Sequence, residues 1–171
     1  MPPRIRPSNP TRKEESMGQY YLVVNLDKQQ YLHPCRLGDG QKLLEFADGG
    51  ATLTALAILL AKDNGRGIGD LHVAPPDAPV ERWERDEFKR VRTPHAHLVG
   101  SWAGDRIVIA GDYGNKLPES EETLYALALR TFEDLSVPLR ELIGCDPWLK
   151  ERLSPHSKSL RPDLIIRQRG R

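Results

Sequence analysis

Residues 20–34 read YYLVVNLDKQQYLHP, and the reading of this stretch decides the fold. Tyr20-Tyr21-Leu22-Val23-Val24 is a run of aromatic and β-branched side chains, the composition of a strand. Residues 25–28, NLDK, are polar and turn-forming. Gln30-Tyr31-Leu32-His33 returns as a second strand, and Pro34, with no N–H for a ladder, stops it. An antiparallel hairpin therefore opens the ordered part of the chain. A second hairpin is expected from residues 97–102 and 106–110, joined by Gly104-Asp105 as a two-residue type II′ turn. Counting outward from that turn sets His97 opposite Asp112. It also gathers Leu98, Trp102, Ile107, Ile109 and Tyr113 on one face, read as the core face.

Outward from the hairpins, residues 52–62 predict a helix. Leu53, Leu56, Ile58, Leu59 and Leu60 cover nearly all its faces, so it is expected in the core, with Gly65 ending it. Ser120 is expected to cap a second main helix, with Glu121 and Glu122 in its first turn. Leu124, Leu127, Ala128, Phe132 and Leu135 form its apolar stripe. Shorter helical pieces are expected at 42–46 and 138–143, and Trp148 and Leu149 are expected to pack back on the body. Residues 75–95, rich in proline and charge, read as a surface excursion. The class is α+β: an antiparallel sheet built from hairpins, with two main helices packed on one face.

The chain has 171 residues, 39% hydrophobic and 29% charged, enough for one core. The expected organisation is a disordered extension at 1–16, a single globular domain at 17–154, and a basic tail at 155–171 with an edge strand at 163–167. The longest apolar stretch, 51–61, is too short for a bilayer. Residues 1–16 lack the apolar centre of a signal peptide, so a cytoplasmic chain is expected, without a membrane partner. Cys35 and Cys145 exclude a disulfide scaffold and read as small buried hydrophobes. Charge is uneven. Residues 150–171 carry seven Lys/Arg against two Asp/Glu, whereas 17–149 carry fourteen against twenty. Basic ends on an acidic body suit tails that seek an acidic partner.

Several motifs stand out: Met17-Gly18-Gln19-Tyr20-Tyr21, Asn25-Leu26-Asp27-Lys28, Asn64-Gly65-Arg66-Gly67, WAGDRIVIAGDY at 102–113, and Arg161-Pro162-Asp163. Together they resemble the marks of a family of small uncharacterised microbial proteins, over residues 17 to about 166. The resemblance implies no activity.

Three constellations invite chemistry. The glycine-rich loop 64–70, with Arg66 and Asp70 as candidate binding residues, has the look of a phosphate cradle. It follows a helix, though, and the C-terminal end of a helix repels anions. Asp70-Leu71-His72 and Gly111-Asp112 resemble motifs of calcineurin-like metallophosphoesterases, whose further histidine motif is missing because Lys116 follows Asn115. Finally, the predicted second hairpin gathers His95, His97 and Asp112, two imidazoles and a carboxylate. That set suits a divalent metal, or a His97–Asp112 general base; a plain cross-strand hydrogen bond on a half-exposed face is the preferred reading. No complete catalytic constellation appears and no cofactor is implied. The expected function is a non-enzymatic binding module for a macromolecular partner, foremost a protein. The alternatives are a metal-dependent hydrolase or phosphoesterase using His95, His97 and Asp112, and a nucleic-acid binder working through 158–171. Oligomeric state is left open.

Overall fold

A computed structural model of the chain describes residues 18–62, 71–82, 84, 89–118 and 120–153. The first hairpin forms as the alternation predicts. Strand β1 (Tyr21–Asn25) pairs antiparallel with β2 (Gln30–Leu32), Val23 opposite Leu32 and Asn25 opposite Gln30. A four-residue helix, α1 (Pro34–Leu37), begins at the proline that ends β2, where a missing N–H costs nothing. Gly38, at φ +106°, closes it in the left-handed region. Short α2 (Leu43–Phe46) matches the expected turn, and α3 (Ala51–Leu60) matches the predicted helix. Two residues each of β3 (Val73–Ala74) and β4 (Val91–Arg92) make a small parallel sheet. Strand β5 (Ile107–Gly111), α4 (Leu124–Thr131), β6 (Glu133–Asp134) and α5 (Ser136–Cys145) complete the body.

The class is α+β, with strand order β5-β1-β2-β6. The helices occupy both faces of this sheet, a correction to the expected single face, and period-2 alternation is the reason. Val23 and Leu32 point to one side, into a core with Leu37, Phe46, Ala55, Leu59, Trp102, Leu139 and Leu142. Leu22, Val24, Tyr31 and Ala110 point to the other, where they meet Ala128 of α4. With both faces apolar, one layer of helices cannot cover the sheet.

The second hairpin is absent. Residues 96–98 form a 3₁₀ turn, and 99–105 continue as turns. The N–H groups of Gly100 and Trp102 donate to the carbonyls of Ile58 and Leu59, 2.9 and 2.8 Å away, near the C-terminal end of α3. Bonding to the last carbonyls of α3 has displaced strand pairing here. Strand β5 pairs instead with β1, antiparallel, Val23 opposite Ile109. Leu98 and Trp102 are buried as expected, while Ile109 and Tyr113 are exposed. Strand β6 joins β2 in parallel, an addition to the expected antiparallel hairpins.

Smaller differences follow the same logic. Thr123 caps α4, its hydroxyl accepting from Ala126 N–H, and Ser120 turns the preceding loop. Leu53 and Leu60 are exposed and Leu56 half-buried, so α3 is a core helix on one side only. Leu149 packs on the core, but Trp148 is 87% exposed. Both cysteines are free and exposed rather than buried. Within 75–95, the Glu84 carboxylate meets Arg90 at 2.7 Å and Arg92 at 3.1 Å. The expected extension 1–16, the loop 64–70 and the tail with its strand at 163–167 lie outside the described residues.

Candidate interaction surface

The residues expected to hold a metal do not meet. His95 Nε2 lies 2.7 Å from Glu141 Oε2, and His97 Nδ1 lies 3.1 Å from the Pro94 carbonyl. Asp112 Oδ1 accepts from the N–H groups of Tyr20 and Tyr113, each at 3.0 Å. The cluster required 97–102 and 106–112 to be neighbouring strands, and β1 takes that place beside β5. Among the described residues no group of three or more His, Cys, Asp or Glu is placed to hold a metal ion. The metal set and the general-base pair of His97 and Asp112 are therefore withdrawn. Arg66 and Asp70 lie outside the described residues.

Ser136 and Cys35 are poorly placed as nucleophiles. Ser136 is fully buried, and its hydroxyl accepts from the His33 backbone N–H at 2.7 Å. The His33 ring does not serve it: Nδ1 is buried with no hydrogen-bond partner among the described residues, and burial holds the imidazole below its ordinary value. The Cys35 thiol is pushed up by desolvation, then by Glu45 and Asp39, which opposes the reactive thiolate.

Of the motifs quoted above, those that fall on described residues instead prove to be joints. Asn25, fully buried at the end of β1, accepts from Asp27 and Lys28 N–H and donates to Asp105 Oδ2 at 2.8 Å. Lys28 donates to the same carboxylate and to the Ser101 carbonyl. Arg106 grips Asp27 through its backbone N–H, Nε and Nη2, at 2.6–2.8 Å. Arg106 holds the Asp27 carboxyl below the usual carboxylate range; Lys28, then Asn25, does so for Asp105. NLDK and GDR are thus two halves of one lock between the β1–β2 turn and the start of β5. At the other end, the Gln19 amide crosses so near Gly111 that a Cβ there would sit 1.9 Å from Nε2.

Among the described residues, the outer edge of β5 is left largely unpartnered. Leu26 N–H donates to the Arg106 carbonyl, and Asp112 N–H donates to the Tyr20 carbonyl. In the β1–β5 register, even-numbered residues of β5 therefore exchange hydrogen bonds with β1. The backbone groups of Ile107, Ile109 and Gly111 point away from it. Among the described residues, Ile107 and Ile109 have no partner for either group, while the Gly111 carbonyl accepts from Gly114 N–H. The Ile109 side chain beside them is 50% exposed. The sequence IVIAG carries no charge, proline or bulge to protect this edge, whereas the opposite edge, β6, is two acidic residues long. The signal was readable as an uncharged five-residue run, but the hairpin reading had already given it a partner. No protein-family model, curated protein or solved structure matches the chain, so the surface is read from its own geometry.

Proposed function

We propose that this chain is a non-enzymatic protein-binding module that receives an extended partner segment along the open edge of β5. One observation carries the reading: outward N–H and C=O groups at Ile107 and Ile109 without partners among the described residues, next to a half-exposed isoleucine, on a strand with no protective charge. Addition of a strand to such an edge draws affinity from main-chain hydrogen bonds and selectivity from alternate side chains. Free, exposed cysteines fit a reducing compartment, and the proposed setting is cytoplasmic. Among the described residues no helix is long and apolar enough to cross a membrane.

The test is affinity capture with the full chain as bait, compared with Ile109→Lys and with Leu44→Lys. Leu44 is 82% exposed on α2, an element that is not part of the sheet. A protein retained by the wild type and by Leu44→Lys, and lost with Ile109→Lys, is the expected result. Equal retention by Ile109→Lys overturns the edge as the site. Salt-sensitive retention of nucleic acid, unaffected by Ile109→Lys, replaces the protein-binding reading with the tail at 158–171.

A further inference from the structure

We infer that the occupant of the β5 edge is a second copy of this chain, paired antiparallel to the first about a two-fold axis through Ile109. The inference rests on the edge reading above and names the partner. A closed two-fold interface needs a self-complementary surface. In β5 the outward groups recur at 107, 109 and 111, symmetric about Ile109. With two copies antiparallel and Ile109 on the axis, Ile109 faces Ile109 of the other copy. Ile107 then faces Gly111, and all three pairs are of the hydrogen-bonded kind. The two Ile109 residues exchange a pair of bonds, and each Gly111 N–H reaches an Ile107 carbonyl.

Charge selects this register over its neighbours. Shifting by two residues in either direction also matches outward groups, but only the axis at Ile109 sets Arg106 opposite Asp112 at both ends of the strand. Both residues have capacity to spare. Arg106 uses Nε and Nη2 on Asp27, leaving Nη1, and its side chain is 74% exposed. Asp112 uses Oδ1 on Tyr20 and Tyr113, leaving Oδ2. Directly opposed residues share a face, with Cβ atoms about 5 Å apart, so an ion pair forms at each end. The product is one continuous sheet ordered β6-β2-β1-β5 and onward through β5-β1-β2-β6 of the second copy. The half-exposed Ile109 side chains meet at its centre, and the short acidic β6 strands end it on both sides.

Sedimentation velocity of the full chain over a wide concentration range tests this, with folding checked by circular dichroism. The expected result is a reversible monomer–dimer equilibrium that Ile109→Lys abolishes. Arg106→Asp and Asp112→Arg each place like charges opposite one another and are expected to be monomeric alone; mixed in equal amounts they form a heterodimer. Should Asp112→Arg not fold, Asp112→Asn keeps the acceptor and is expected to weaken the dimer about tenfold. A dimer lost with Ile109→Lys but not recovered in the mixture overturns the register. A wild type that stays monomeric overturns the second copy. The edge reading then survives if Ile109→Lys still releases a captured protein. A dimer that persists in all the variants forms elsewhere and overturns the second copy at this edge. A monomeric chain with a protected Ile109 amide gives the edge to residues 163–167 of the same chain.

Discussion

Asn25 shows how single residues hold this molecule. A fully buried amide is costly unless its groups are paired, and Asn25 pairs with two backbone N–H groups and a carboxylate. Asn25→Ala strands those partners and is expected to cost about 1–3 kcal/mol in urea unfolding. Gly100 sits at φ +72°, where a Cβ would lie 2.9 Å from the Ala61 carbonyl oxygen. Gly100→Ala is expected to cost about 1–3 kcal/mol, since both backbone strain and a backbone clash oppose it. His33 sets a pH dependence. Burial lowers its folded-state pKa below the ordinary 6.5, so the unfolded chain binds the proton first as pH falls. Stability is complete above about pH 7.5 and declines as pH drops through 6.5. Unfolding midpoints measured against pH are expected to show this decline, and His33→Gln to remove it. The lowered carboxyls of Asp27, Asp105, Glu84 and Glu122 add a separate loss at lower pH, as each is protonated.

Elements were legible where their signal is local. The β1–β2 hairpin and α3 follow from alternation, turn chemistry and a long apolar run, all within a dozen residues. Pairings across long separations were not. Nothing in IVIAG says that it joins β1 rather than residues 97–102, and alternation in 97–102 is equally satisfied by turns that bury Leu98 and Trp102. Gly104 does take the positive φ, +90°, that its place in a tight turn implied. Its turn closes on Trp102, with Asp105 N–H donating to that carbonyl, and leads into the lock with NLDK. The expected His95, His97 and Asp112 cluster failed with the hairpin that would have made it. The orientation of α3 is testable. Leu59 is fully buried and Leu56 half-buried, so Leu59→Ala is expected to cost about 2–5 kcal/mol and Leu56→Ala clearly less. Equal losses would mean that α3 is enclosed on all sides. Glu84 binds Arg90 and Arg92; its side chain is only 2% exposed, and Arg92, above all, holds its carboxyl well below the usual range. Glu84→Gln is expected to weaken both contacts and raise protease cleavage near Arg90 and Arg92 severalfold, with the rest of the body intact.

At the scale of the whole molecule, both faces of the central sheet are covered and one edge is closed by a short acidic strand. Among the described residues, backbone hydrogen-bonding capacity and exposed apolar surface coincide at the β5 edge. Its symmetry in Ile107, Ile109 and Gly111, bracketed by Arg106 and Asp112, makes it complementary to itself. Residue-by-residue amide hydrogen exchange along β5, followed by NMR at increasing chain concentration, tests that claim most directly. The Val108 and Ala110 amides, bonded to β1, are expected to be protected throughout. The Ile107, Ile109 and Gly111 amides are expected to exchange fast in dilute solution and to become protected together as the dimer forms, except in Ile109→Lys. An Ile109 amide that stays unprotected while the chain self-associates would contradict the account.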